Sequence, residues 1–347
     1  MSTLASSVAP NMEQQLSAAA QRLAQGGLVA FPTETVYGLG ADAENPQAIA
    51  RIYAAKGRPA NHPVIVHVAP EADLSYWAAS IPAEARILIQ AFWPGPLTLI
   101  LPRAAHIPAA VSGGQDSIGL RCPSHPVAQA LLRQFAREKP NGQGGVAAPS
   151  ANKFGQVSPT HAEHVWSEFP ELGADQLLVL EGGPSEVGIE STIVDVSRIE
   201  SGMGPVLLRP GHISAAQLAA VLGAPPARPD DHAPQVSGSL KAHYAPHTPL
   251  QVLPLSLLLD AVRQGGSNQA RGRTAVVAFN PVQFDALPGV DTLICNADPA
   301  AYARELYALL RRLDAQGYAR ILMEQPPRTA DWQAVNDRIG RAAAAFS

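Results

Sequence analysis

Cysteine is nearly missing from this chain: Cys122 and Cys295 are the only two, far apart and without a metal-ligand spacing. That excludes a disulfide framework and a cysteine-built zinc site from the reading, and a reducing, cytoplasmic setting is expected. Positive charge is not in surplus either. A formal charge of −4 and a pI near 6.2 argue against a surface made for tight, nonspecific nucleic-acid binding, so no stable nucleic-acid partner is expected. No run of about eighteen apolar residues occurs, and the opening MSTLASSVAP has neither a basic nor an apolar signal region, so neither a membrane span nor a secretory signal is expected. The glycine-lysine pattern of a P-loop, the His-Glu-x-x-His of zinc proteases and the Gly-x-Ser-x-Gly elbow of hydrolases are all absent, as are internal repeats and coiled-coil heptads.

What is present is ample core. At 347 residues, 46% hydrophobic and 16% charged, the chain reads as globular and long enough for two domains. Helical and strand patterns alternate, which predicts an α/β protein. Residues 1–223 form the first domain of this reading. A Pro-rich connector of low periodicity, 224–249, follows, interrupted by Lys241, His243 and Tyr244, and a mere spacer needs no aromatic. The last part, 250–347, alternates strands and helices as a small Rossmann-like layer, without a glycine-rich dinucleotide turn, because Gly265 and Gly266 follow a helix.

Four places in the first domain end a strand on polar or cationic residues, and ligands of open α/β sheets gather at strand ends. The strand Leu28 to Phe31 runs into Pro32-Thr33-Glu34-Thr35-Val36-Tyr37-Gly38, which is either a binding loop or a Thr-rich turn that satisfies its own backbone. A helix ending near Tyr53 breaks at Gly57 and Pro59, leaving Lys56 and Arg58 on a turn before the strand Pro63 to Val68. Such a pair suits a polyphosphate, or is plain surface charge. Arg121 closes the strand Ser117 to Arg121, as an edge charge or a carboxylate clamp. Ser150 and Asn152 follow the buried strand 146–148, as phosphate donors or turn caps, and Arg209 closes another strand before Pro210-Gly211. Ser158-Pro159-Thr160 reads as a helix start, itself a candidate anion site.

The ordered series PTETVYGLGADA, KGRP followed by PVIVHV, WPGPLT, GLRCP, APSAN, SPT, GIESTIVDV and LLRPG resembles the threonylcarbamoyl-AMP synthase family, also called YrdC-like. SGSLKAHYAP ahead of the final α/β part is similar to its longer, two-domain members. The resemblance covers essentially the whole chain. It implies a twisted, open N-terminal sheet with a concave cavity, and a nucleotidyltransferase that makes L-threonylcarbamoyladenylate from L-threonine, bicarbonate and ATP with release of pyrophosphate. The product serves threonylcarbamoyl-adenosine formation in tRNA through a separate transferase complex. By the same resemblance Thr35, His67, Arg121, the backbone at Ala148 and Ser191 hold threonine. Lys56, Arg58, His62, Ser117, Ser150, Asn152, Ser158, Arg209 and Tyr244 hold ATP, Lys56 and Arg58 acting on the reacting phosphates and Tyr244 folding over the nucleotide as a lid. Mg²⁺ is implied with ATP, and no protein-ligated metal. His62 stands where the family usually has Asn.

Two other classes compete. An RNA-binding module would use the same cations, but residues 1–220 carry 13 Lys and Arg against 18 Asp and Glu, a net of −5. A carbamoyl-transfer domain of the hydrogenase-maturation type would bring cysteine pairs that this chain lacks.

Overall fold

A computed structural model of the protein describes residues 10–266, 272–281 and 287–347; most of the MSTLASSVAP opening lies outside them. The chain divides into two compact units. The first takes residues up to Phe154, Pro159–Glu186 and Glu190–Ser239; the second takes Gly155–Ser158, Val187–Ile189 and Leu240–Ser347. The Pro-rich stretch therefore belongs to the first unit as far as Ser239 and to the second from Leu240.

The first unit is built on nine strands: β1 Leu28–Phe31, β2 Gly38–Asp42, β3 Ile65–His67, β4 Leu97–Pro102, β5 Ser117–Arg121, β6 Val146–Ala147, β7 Leu177–Val179, β8 Thr192–Asp195 and β9 Val206–Arg209. They lie in the order β7-β1-β2-β6-β3-β5-β4-β8-β9 in one mixed sheet. Its helices are α1 Pro10–Ala24, α2 Pro46–Lys56, α3 Leu74–Trp77, α4 Ala83–Phe92, α5 Pro126–Glu138, α6 Ala162–Glu168 and α7 Ala215–Leu222. Both faces of the sheet are covered, and successive residues of a strand enter different cores. In β1, Val29 and Phe31 pack with Leu16, Leu23 and Phe135 of α1 and α5, whereas Leu28 and Ala30 join the larger cluster with Ile49 and Ile52 of α2. A strand buried on both sides has no need of alternation, which is why LVAF is apolar throughout.

The second unit holds β10 Leu250–Leu253, α8 Leu255–Gly266, β11 Thr274–Ala278, β12 Val290–Ile294, α9 Pro299–Ala315, β13 Arg320–Glu324 and α10 Gln333–Ala343. Its four strands are all parallel, in the order β10-β13-β11-β12. Leu258 and Val262 of α8 pack against Val276 and Leu322 of the sheet.

Two elements differ from the sequence reading. The segment Gly38 to Asp42 is a strand, although two glycines and no β-branched residue gave it no strand signal. The structure also gives no helix start at Ser158-Pro159-Thr160. Helix α6 begins only at Ala162, with His161 as an N-cap that makes no side-chain capping bond. The preceding backbone is held by other partners: Tyr37 N–H donates to the Pro159 carbonyl at 2.8 Å, and Ser185 N–H to the Thr160 carbonyl at 2.9 Å. Those bonds engage carbonyls that a helix begun at Ser158 would use, so the helix starts later than expected.

Candidate active site

Helix α2 is framed for carrying charge at its C-terminal end. Asn45 caps its start, accepting from Gln47 N–H and Ala48 N–H at 3.0 and 3.1 Å, and Pro46 sits at the first helical position. Gly57 ends it in the left-handed region, φ +63°, a conformation glycine adopts without a Cβ penalty. Lys56 is thus the last helical residue, where the helix dipole favours a cation, and Arg58 lies just past the turn.

Lys56 is 2% exposed. Its ammonium donates to the Ser150 carbonyl at 2.6 Å and to the Asn152 carbonyl, so it grips the turn after β6. Burial first, and then the neighbouring Arg58 charge, hold its pKa well below the usual lysine value. Arg58 donates to the Pro63 carbonyl at 2.8 Å and to Ser237 Oγ at 3.2 Å, and its guanidinium carbon lies 5.6 Å from the centre of the Phe154 ring. The same ring meets His62 edge-on at 5.2 Å. Burial and Arg58 lower the pKa of His62. Arg209, at the end of β9, donates to the Ser191 carbonyl through Nε and Nη2 (3.1 and 2.9 Å), to Ser191 Oγ at 3.1 Å and to the Ser237 carbonyl at 2.9 Å.

The second group is set by strand register. β3 and β5 run parallel with His67 opposite Arg121, and β6 pairs antiparallel with β3, so Ala148 N–H donates to the Ile65 carbonyl at 2.9 Å. The β1–β2 loop reaches over to the same place: Arg121 Nη1 donates to Thr35 Oγ1 at 2.8 Å, and Thr35 Oγ1 lies 2.9 Å from Thr33 Oγ1. Arg121 Nη2 is also 2.7 Å from Glu34 Oε1, and both side chains are almost wholly buried. His67 stands edge-on to Phe31 at 5.9 Å between ring centres. Burial, with a smaller push from Arg121, takes its pKa down to about 3, so the imidazole is neutral at physiological pH.

Ser117, Ser158 and Tyr244 are not among the contacts given so far. Ser117 opens β5 whereas Arg121 closes it, about 13 Å apart at the usual strand rise. Ser158 and Tyr244 belong to the second unit. The Ser158 carbonyl accepts from Arg311 Nε at 3.4 Å. Tyr244 is buried, its ring 5.8 Å from Tyr307 and 5.3 Å from the Arg338 guanidinium, on a backbone with φ +62° that an aromatic residue rarely adopts.

Three contact residues escaped the sequence reading. Glu34 was visible only as a carboxylate among hydroxyls. Thr98, on β4, has its hydroxyl 2.7 Å from Ser191 Oγ, and Ser237 in the Pro-rich stretch touches both Arg58 and Arg209. Nothing local marks either as a contact residue, so only the folded chain reveals them.

Buried guanidinium and ammonium groups, converging with hydroxyls on the loops of an open mixed sheet, define an α/β enzyme with a centre for anionic substrates. The Sua5–YciO–YrdC family model, described as telomere recombination, matches residues 21–211. The model for the threonylcarbamoyl-AMP synthase C-terminal domain matches 213–344. The chain is 35% identical to the threonylcarbamoyl-AMP synthase of Pyrococcus abyssi, over 95% of this chain and 94% of that one. It is also 35% identical to that of Bacillus subtilis, over 95% and 93%. A crystal structure of P. abyssi Sua5 complexed with L-threonine superposes with a TM-score of 0.81 at 32% identity, covering 96% of this chain and 95% of that one. The chain belongs to the threonylcarbamoyl-AMP synthase family.

Proposed function

We propose that this protein makes L-threonylcarbamoyladenylate from L-threonine, bicarbonate and ATP, releasing pyrophosphate, and that the product feeds the threonylcarbamoyl-adenosine modification of cytoplasmic tRNA through a transferase complex. The observation that carries the reading is the Arg121 guanidinium. It is 4% exposed, its Nη1 is fixed on Thr35 and its Nη2 is paired with Glu34 at 2.7 Å, while its Nε makes no hydrogen bond among the described residues. A buried donor without an acceptor is costly, and a substrate carboxylate would satisfy it.

In this reading Thr35, His67, Arg121, the Ala148 backbone and Ser191 hold threonine within the first unit, residues 1–223 supplying the catalytic domain. Neutral His67 takes no proton from the ammonium but can accept a hydrogen bond from it or from the threonine hydroxyl. Once the amine has lost its proton it attacks the carbon of bicarbonate, whose hydroxyl leaves as water with a proton from the nitrogen, giving a carbamate whose oxygen displaces pyrophosphate at the α-phosphorus of ATP. Lys56, Arg58 and Arg209 offset the charge that builds on the phosphates. Ser117, Ser150, Asn152 and Ser158 add short donors, His62 flanks Arg58, and Tyr244 of the 224–249 stretch acts as a lid. Mg²⁺ would come with the triphosphate, where it neutralises charge. Catalysis then rests on positioning and electrostatics.

The test is pyrophosphate release from ATP and Mg²⁺ with threonine and bicarbonate present or omitted. Release that needs both is expected, and threonine-independent release, or none, would sink the proposal.

A further inference from the structure

The carboxylate beside Arg121 is the feature that the reaction as drawn leaves without a role. Glu34 is 3% exposed, its Oε1 lies 2.7 Å from Arg121 Nη2, and its Oε2 accepts from the Ser124 backbone N–H at 3.2 Å, which fixes it from the β5–α5 turn. A buried arginine meant only to attract an anion gains nothing from a resident counter-charge, which lowers the local positive potential. The pair instead presents a different surface: a guanidinium whose charge is already balanced through Nη2, yet whose Nε makes no hydrogen bond among the described residues. Two of the neighbouring groups bring no charge. The Cys122 thiol is pushed up to about 12 by burial, and His67 opposite Arg121 is neutral.

We infer that Glu34 is a positioning residue that makes the Arg121 subsite selective for a net-neutral amino acid over a monoanionic acid of the same shape. A carboxylate can still dock on the open Nε of Arg121. It then faces the charge of Glu34, and only a ligand that brings its own ammonium leaves the pocket without a net negative charge. A ligand lacking the ammonium buries an uncompensated anion. The inference rests on the threonine reading above and deepens it.

The experiment compares the affinity of the full-length protein for threonine and for 3-hydroxybutyrate, the same skeleton without the amine, by calorimetry. The unaltered protein is expected to prefer threonine by at least roughly tenfold; Glu34→Gln should shift that ratio by about tenfold toward the anion, and Glu34→Asp should keep most of the preference. An unchanged ratio in folded Glu34→Gln overturns the inference. Should that variant fail to fold, equal affinity of the unaltered protein for the two ligands overturns it as well. Failure of the unaltered protein to bind threonine at all would instead overturn the threonine reading beneath it, so the two failures are told apart.

Discussion

Two buried side chains give the residue scale its tests. Lys56 grips the carbonyls of Ser150 and Asn152 while Arg58 holds the Pro63 carbonyl and the Ser237 hydroxyl, so both cations are preset on acceptors that a polyphosphate would displace or share. Lys56→Met and Arg58→Ala are each expected to lower turnover at least about tenfold while threonine affinity stays within roughly twofold, because their partners are not those of Arg121. An equal loss of threonine affinity, read by calorimetry, would contradict the assignment. His67 gives a pH test. Its folded pKa of about 3 is far below the unfolded value near 6.5, so the unfolded chain binds the extra proton between those limits. Stability from this group is complete above the unfolded value and is lost as pH falls through the window. From pH 7 to pH 5 it should drop by about 2 kcal/mol, a loss that denaturant titration should find missing in His67→Gln. Arg121 is legible in sequence as a candidate because it ends a strand, whereas His67 enters only with the family resemblance. Their environment is not legible: that Glu34 neutralises Arg121 follows from a loop crossing between strands that are far apart in sequence.

Elements were legible where the local signal agreed with the fold. β1, β5 and α4 fall on the residues that the apolar runs and their Gly and Pro punctuation mark, and α7 starts after Ser214, whose capping box with Gln217 is written in the sequence. β2 was not legible, because tertiary crowding selects its residues and intrinsic strand preference does not. A Cβ on Gly40 would stand 2.8 Å from both the Phe31 ring and a Val146 methyl, so glycine is what allows β1, β2 and β6 to close up. Gly40→Val is expected to cost about 1–3 kcal/mol by overpacking, seen as a lower melting temperature, whereas a neutral result would mean that the sheet yields there. The late start of α6 has a similar origin: Ser158 and Pro159 carry helix-start chemistry, but the carbonyls of Pro159 and Thr160 are engaged by Tyr37 and Ser185. Local propensity lost to long-range hydrogen bonds.

On the scale of the whole molecule, the α/β alternation and the Pro-rich stretch pointed to two parts, while the assignment of 155–158 and 187–189 to the second unit has no sequence signal, since short excursions carry no periodicity. Tyr244 lies in the stretch that links the parts and is the only non-glycine residue at positive φ among those described. Backbone strain held by packing is common where a segment must move. Tyr244→Gly relaxes that backbone, and if the ring serves as the proposed lid, turnover should still fall at least about tenfold with threonine affinity unchanged. Full turnover in that variant would remove the lid from the mechanism. The central claim is that a carbamate, and not threonine's own carboxylate, meets the α-phosphate. Mass analysis of the adenylate formed from ATP, threonine and carbon-13 bicarbonate tests it most directly: the account predicts an adenylate bearing both threonine and the heavy carbon, and a threonine adenylate without that carbon would contradict it.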